Sequence, residues 1–374
     1  MIAVLADDFT GAAELAGIAV RYGLRVSLCL GEVKPTTADV LVVSTDSRSM
    51  SDAKALAVTS TIVQQILLLQ PRWMYKKTDS VLRGYVMQEL QLQMQLCNQT
   101  QALLLPANPT LGRTIEQGKY LVNKVPVHEA GFAADPEFPR TSAGLADMLG
   151  VEEIPVLEVG EALSHAAVML ASAATMQDVH HWANAVPAGI ALAGAGDFFT
   201  ALLARTYQEQ LSSVIQLQQP FLYVCGTAFP AAVSFVQQVA LMHPASVVWL
   251  SFVANGTKPH PDCVQQLAFA LQHVGKVIFA IDATQIPAGC TAAQLRSCMA
   301  DAVAQLFARQ YVAEMFIEGG STATSILEAL QLHELQPQQE WERGSVRMKS
   351  NDCFISVKPG SYVLPPIIQQ LFVA

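Results

Sequence analysis

Charge is what this sequence has least of: 14% of its 374 residues are charged, against 52% hydrophobic. That balance calls for large buried sheets and admits an apolar subunit interface, so a homodimer is a reasonable expectation. Positive charge is the scarcer sign, with 22 Lys and Arg against 31 Asp and Glu and a net charge of −9. The basic face with which proteins meet nucleic acid is therefore missing. A small anionic ligand remains compatible, because a few local Lys and Arg make a basic pocket on an acidic protein. Cys29, Cys97, Cys225, Cys263, Cys290, Cys298 and Cys353 include no C-x-x-C pair, and their number is odd. Reduced thiols in a reducing compartment are expected, not a disulfide framework. No two histidines are spaced as H-x-x-x-H or H-E-x-x-H, and adjacent His180 and His181 would diverge by about 100° on a helix. No metal site is expected. Long hydrophobic runs are missing too. Residues 166–171 and 102–105 fall far short of the roughly 20 that a bilayer requires. The opening Met1 to Asp8 has no basic n-region and places paired acids where a signal peptide stays apolar. The reading is a cytoplasmic protein with no membrane partner.

Short apolar runs are plentiful. Residues 2–6, 25–30, 40–44, 73–77 and 102–106 read as strands, and the continuous character of most of them is that of buried parallel strands. Residues 10–19, 51–69 and 83–97 read as helices between them. Residues 108–145, with Pro109, Pro126, Pro136 and Pro139, read as loop-rich. The pattern resumes near Ile154, Val168 and Ile190, and Gly194-Ala195-Gly196 turns into a helix ending near Gln210. A polar, Gln-rich stretch over 212–220 reads as a linker. Beyond it, strands are expected at 221–225, 246–250, 276–280, 313–317 and 353–357, with helices at 231–242, 262–273, 291–310 and 323–332. Residues 335–351 are polar and read as a surface hairpin or loop. The fold class is α/β: two α/β domains, 1–211 and 220–374, each with a mostly parallel sheet flanked by helices.

In open α/β sheets ligands gather at the carboxyl ends of strands. Asp7-Asp8-Phe9-Thr10-Gly11-Ala12 follows the first strand. Two carboxylates there are costly to bury without a cation, a proton or a hydroxyl-rich ligand, although Asp8 or Thr10 also suits a helix N-cap. Arg48 follows the third strand, where a guanidinium could clamp a carboxylate. Lys76-Lys77-Thr78-Asp79-Ser80-Val81-Leu82-Arg83-Gly84 gathers cations, an acid and hydroxyls between a strand and a helix. Arg83 at a helix start opposes the dipole, which tilts the segment toward a bound anion. Asn108-Pro109-Thr110-Leu111-Gly112-Arg113 adds another guanidinium. The second half differs: Gly226-Thr227, Gly319-Gly320-Ser321-Thr322 and Lys358-Pro359-Gly360-Ser361-Tyr362 offer small residues through which backbone amides can approach a phosphate. No G-x-x-x-x-G-K-[ST] occurs, nor a G-x-G-x-x-G after the first strand, so P-loop and dinucleotide readings are disfavoured.

Taken in order, these segments closely resemble the four-carbon acid sugar kinases. The likeness rests on Ala6 to Ala12, Lys76 to Gly84, Pro106 to Gly118 with Gly112-Arg113-Thr114, and the run from Val127-His128-Glu129 to Asp135-Pro136. Gly226-Thr227, Gly319 to Ala323 and Lys358 to Tyr362 carry it in the second half. The resemblance implies an N-terminal sugar-acid-binding domain, a C-terminal nucleotide-binding domain and an active site in the cleft between them. It implies ATP-dependent phosphorylation, with Mg²⁺, of the terminal hydroxyl of threonate, erythronate or 3-oxo-tetronate. Asp8, Arg48, Lys77, Thr78, Asp79, Ser80, Arg83 and Arg113 would line the substrate site, with Asp8 the first choice and Asp79 the second for the catalytic carboxylate. Thr227, Gly319, Gly320, Ser321, Thr322, Lys358 and Gly360 would contact the nucleotide. The chain departs from the family at Thr227, where Ser is common, and at Ser321, where an acid is frequent. It also has Ser361, Tyr362 and Val363 in place of a second glycine and Phe-Gly. These changes leave a second reading, a catalytically weakened kinase-like protein that binds a sugar acid.

Overall fold

The computed structural model describes residues 1–130, 132, 138–210, 215–253, 258–360 and 362–373. The chain divides into two compact units, Met1–Leu211 and Ser212–Ala374. Residues 212–214 of the expected linker, Ser361, and much of the 127–136 run lie outside the described residues.

The first unit opens with β1 (Ile2–Ala6), α1 (Phe9–Arg21), β2 (Val26–Leu30), β3 (Val40–Ser44), α2 (Asp52–Leu68), β4 (Trp73–Lys77), α3 (Val86–Leu96) and β5 (Ala102–Leu105). Next come β6 (Arg113–Glu116), β7 (Lys119–Val122), β8 (Val125–Pro126), α4 (Leu145–Leu149), β9 (Val156–Leu157), β10 (Val168–Ala171), α5 (Met176–Ala185), β11 (Ala191–Gly194) and α6 (Gly196–Ala204). The main sheet runs β2-β3-β1-β4-β11-β5-β10-β9, and its pairings are parallel. Strands covered on both faces must be apolar throughout, which is why β1, β3 and β5 are buried at every position. Ala3, Leu5, Leu41 and Val43 pack with Ile62, Val63 and Ile66 of α2 on one face. On the other, α1 is an almost continuous buried run of small residues, which lets it lie close to the sheet.

Two local departures from the sequence pattern matter. Helix α3 begins at Val86, not Arg83, because the Asp79 carboxylate takes the Val81 and Arg83 amides at 3.0 and 3.2 Å and holds a turn there. Inside the loop-rich region, β6-β7-β8 form an antiparallel sheet of their own.

The second unit contains β12 (Phe221–Cys225), α7 (Pro230–Met242), β13 (Val247–Trp249), α8 (Pro261–Val274), β14 (Lys276–Ala280), α9 (Ala292–Phe307), β15 (Glu314–Glu318) and α10 (Gly320–Ala329). It closes with β16 (Glu334–Glu342), β17 (Ser345–Ser350), β18 (Cys353–Lys358) and α11 (Pro366–Val373). Strands β13-β14-β12-β15-β18 are parallel, and β18-β17-β16 continue antiparallel. The polar 335–351 stretch is thus a hairpin, as expected, but one built into the sheet, with Val346 and Met348 buried. Phe221, Tyr223, Phe316, Ile368 and Phe372 form the core under α7 and α11. Among the described residues, no helix of either unit is long and apolar enough to cross a membrane.

Both units share one strand order. In β2-β3-β1-β4 and again in β13-β14-β12-β15, the chain moves to one side of its first strand and then crosses to the other. Each sheet therefore has a switch point beside its first strand, where the loops diverge and leave room for a ligand.

One buried ion pair fixes how the chain enters the second unit. Glu314 is fully buried, grips Arg347 at 2.7 and 2.8 Å and accepts the Gln218 amide at 2.7 Å. Glu314→Ala leaves that guanidinium and that amide without their acceptor. It should cost about 3–5 kcal/mol and lower the calorimetric melting temperature of this unit by several degrees; an unchanged melt would contradict the assignment.

Candidate functional site

At the switch point of the first unit, β1 and β4 deliver acids and cations to the same place. The parallel register sets Ala6 beside both Ser44 and Lys77, so the residues that follow emerge side by side. Arg48, in the short turn after β3, reaches over them. Its Nε and Nη2 donate to the two Asp7 oxygens at 2.9 and 3.0 Å, and Nη1 donates to Asp8 Oδ2 at 3.0 Å. The same Nη1 lies 3.4 Å from Asp79 Oδ1. Arg83 closes on Asp79 from the far side, with Nε and Nη2 at 3.0 and 2.9 Å.

The three carboxylates differ in what they have left to offer. Asp79 accepts two backbone amides besides its guanidinium contacts, and Asp7 is held end-on by Arg48. Asp8 caps α1 through the Gly11 amide at 2.9 Å and accepts the Thr10 hydroxyl at 2.7 Å. Its side chain is 21% exposed, against 5% for Asp7 and 8% for Asp79, so it is the acid among the three that a ligand can reach. Burial pushes the Asp7 carboxyl above the ordinary carboxylate range in spite of Arg48. Burial also acts on Asp8, but Arg48, Lys77 and the Thr10 hydrogen bond outweigh it and hold that carboxyl low. At Asp79 burial is overcome by Arg83 and Arg48, which carry it well below the ordinary value. Burial works against the Arg48 charge, yet its acids hold it protonated far above any working pH.

The remaining expected residues converge on the same loops. Lys77 Nζ donates to the Thr78 carbonyl at 3.0 Å and lies 3.5 Å from Glu14 Oε2. Gly11 is needed here: a Cβ would fall 2.6 Å from Asp8 Oδ1 and 3.0 Å from Lys77 Nζ. Arg113 Nη1 donates to the Ser80 hydroxyl, and the Tyr120 hydroxyl donates to the Ser80 carbonyl, tying the 113–122 ribbon to this loop. Lys76 is not part of the cluster. As the neighbour of Lys77 in a strand it points to the opposite face, where its Nζ meets Glu89 at 2.6 Å. Sequence reasoning passed over Glu14, Asn108 as a side chain, and Asp197. Asp197 binds the Thr110 amide and hydroxyl at 3.0 and 2.9 Å, and Asn108 Oδ1 accepts the Asp197 amide at 3.1 Å. The signal for Glu14 was available: an acid inside the apolar run of a helix that follows an acidic turn.

In the second unit, the expected residues cluster at the ends of β12, β15 and β18. Gly226, Gly319 and Gly360 are held where a side chain will not fit. A Cβ would come within 2.2 Å of Thr322 Oγ1 at Gly226 and within 2.4 Å of Thr227 Oγ1 at Gly360. Gly319 adopts φ +112° immediately before α10, whose first turn holds Gly320, exposed Ser321 and buried Thr322. The Thr322 hydroxyl donates to the Gly226 carbonyl at 3.2 Å. Lys358 does not face this surface. It is fully buried, pairs with Glu318 at 2.7 Å and donates to the carbonyls of Pro359 at 2.9 Å and Tyr362 at 2.5 Å.

The Arg48 cluster sets an acid limit on the first unit. Because the Asp8 and Asp79 pKa values are depressed on folding, their stabilisation is complete above the unfolded carboxylate value, about 3.9. It is lost as pH falls through the lower folded values; Asp7, shifted the other way, contributes with opposite sign. Arg48→Met removes the shared cation, so the unit should lose about 3–5 kcal/mol at neutral pH, a deficit that narrows as pH falls and the uncovered carboxylates take up protons. Denaturant unfolding followed by circular dichroism at neutral and at acid pH reads this, and an equal deficit at both would refute it.

Residues 2–232 match the model of the family described as the sugar-binding N-terminal domain. A D-threonate kinase from Salmonella typhimurium is 38% identical over 160 residues, which take in 42% of this chain and 38% of the kinase. A 3-oxo-tetronate kinase from Burkholderia multivorans is 24% identical over 90% of this chain and 87% of its own. The chain spans less than half the length of the D-threonate kinases it matches. The crystal structure of a Haemophilus influenzae protein, 18% identical, covers 100% of both chains with a TM-score of 0.75 and shares the fold. With more than half of its length inside the family model, the chain belongs to the sugar-binding N-terminal domain family.

Proposed function

We propose that this chain is an ATP-dependent kinase that phosphorylates a four-carbon sugar acid on its terminal hydroxyl. The first unit would bind the acid and the second the nucleotide. The observation that carries the reading is the meeting of one reachable carboxylate, Asp8, with Arg48, Lys77 and Arg83 at the switch point of the family-matched unit. A hydroxylated carboxylate needs cations for its charge and acceptors for its hydroxyls, and this loop cluster supplies both.

Asp8 would orient the terminal hydroxyl and accept its proton, and its depressed pKa keeps it ionised for that task. Asp79, surrounded by its own donors, would hold the loop, not the substrate. Arg48, with all three nitrogens engaged by acids, would fix Asp8 in place. Lys77, Arg83 and Arg113 would offset the charge of the substrate and of the group in transfer. In the second unit the α10 N-terminus fits a phosphate chain, because its first-turn amides have no side-chain cap, while the glycines at 226 and 360 make room for Thr322 and Thr227 beside it. Bound MgATP would supply the phosphoryl group, and the metal ion would neutralise charge on its oxygens. Lys358 would act indirectly, setting the 358–362 turn through the Pro359 and Tyr362 carbonyls. The seven free thiols suit a reducing cytoplasm.

The enclosure of Lys358 favours a second reading. With that ammonium committed to Glu318 and two carbonyls, the turn offers no direct cation from this residue to a phosphate, as in a binder of sugar acids that no longer transfers phosphate.

Two measurements separate these readings. Purified protein with ATP and Mg²⁺ should release ADP on at least one of D-threonate, D-erythronate and 3-oxo-tetronate; a thermal shift from an acid with no turnover would select the binder. Asp8→Asn should lower kcat by about 10²–10⁴ while leaving the fold intact, since Asn caps a helix as well as Asp does. Near-normal turnover would remove Asp8 from the chemistry.

A further inference from the structure

Glu14 stands beside the proposed substrate loop with its hydrogen bonding incomplete. Its side chain is only 8% exposed, and Oε1 is buried with no hydrogen-bond partner. Oε2 lies 3.5 Å from Lys77 Nζ, long against the roughly 2.7–2.9 Å of a charge-assisted hydrogen bond. Lys77 gives a hydrogen bond to the Thr78 carbonyl instead, at 3.0 Å. The Thr78 hydroxyl is buried and unpartnered as well. Two such buried groups on either side of Lys77 are costly, and in a native fold they call for a partner that completes them.

Two glycines stand against these groups. A Cβ at Gly196 would fall 2.6 Å from Glu14 Oε1. The Thr78 amide donates to the Gly194 carbonyl at 3.0 Å, so Thr78 and the Gly194-Ala195-Gly196 turn belong to one wall. Gly11 lies on the other side, where Lys77 Nζ and Asp8 Oδ1 pack against it. An acceptor-only carboxylate oxygen, an unspent hydroxyl and a lysine, continuous with Asp8, match an alcohol group next to a carboxylate or a second alcohol.

We propose that Glu14 and Thr78 form a hydroxyl-recognition subsite, in which Glu14 Oε1 accepts a hydrogen bond from one secondary hydroxyl of the sugar acid. This rests on the reading that the first unit binds such an acid. Glu14 then determines which acids are accepted, because an analogue lacking that hydroxyl leaves the carboxylate buried and unpaired.

The test is calorimetric binding of D-threonate, D-erythronate and their 2-deoxy and 3-deoxy analogues, 3,4- and 2,4-dihydroxybutyrate. The wild type should reject one deoxy acid by at least about tenfold relative to the better-bound parent. Glu14→Gln should lose most of that preference. Gly196→Ala, whose added methyl displaces the carboxylate, should lose it by an independent route. Variants that bind the parent acid and keep the wild-type ratio would reduce Glu14 to a structural partner of Lys77 and overturn the inference, while the sugar-acid site stands. A wild type that binds none of the four-carbon acids would overturn the site reading and this inference together.

Discussion

Three carboxylates crowd the carboxyl ends of β1 and β4, and one guanidinium makes the crowding tolerable. Asp7, Asp8 and Asp79 come from two strand ends, and in a buried setting they could not stay charged side by side without a cation among them. Arg48 supplies it from the turn after a third strand, so the electrostatics of the site is fixed by sheet register, not by the loops alone. Much else follows from that contact. Asp8 is aimed while it caps α1. Asp79 is aimed while it stops α3 from starting early, and the turn it organises presents Ser80 to Arg113.

The two units place different side chains on one topology. In each, the chain crosses from one side of its first strand to the other and leaves a switch point there. In the first unit that point is filled by charged side chains that hold one another; in the second it is closed by glycines against which Thr227 and Thr322 pack. A site for a small anion with several hydroxyls needs many directional side chains, whereas a phosphate chain is met more economically by backbone amides.

Much of this was legible in the sequence because buried parallel strands leave a plain signature. The apolar runs at 2–6, 40–44 and 221–225 correspond to β1, β3 and β12, and Asp7-Asp8, Arg48 and Gly226-Thr227 follow them in turn. What stayed hidden depends on direction or on partners distant in the chain. Lys76 and Lys77 read as one basic pair, but the alternation of a strand sends one to Glu89 and the other toward Glu14. Lys358 read as a phosphate ligand by motif, and only the sheet shows that Glu318 of the adjacent strand lies within its reach. The β6-β7-β8 ribbon was masked by prolines and glycines that signalled loop, and the start of α3 was misplaced because its sequence does not show which amides Asp79 occupies.

The place of β11 has a bearing on how the first unit is made. This strand, near the end of the unit, inserts between β4 and β5, so the middle of the sheet is the last part to be filled. Its end also supports the 77–84 loop: the Gly194 carbonyl receives the Thr78 amide, and the carbonyl of Ala195, the next residue, receives the Tyr75 hydroxyl at 2.8 Å. A chain growing on a ribosome would therefore carry the Lys77 to Gly84 segment on an open sheet for more than half the unit's synthesis, with strand edges of β4 and β5 unpaired toward each other. Assembly of the binding loops would be a late event, and the exposed middle of the sheet, not its rim, would be the surface that nascent-chain chaperones have to cover.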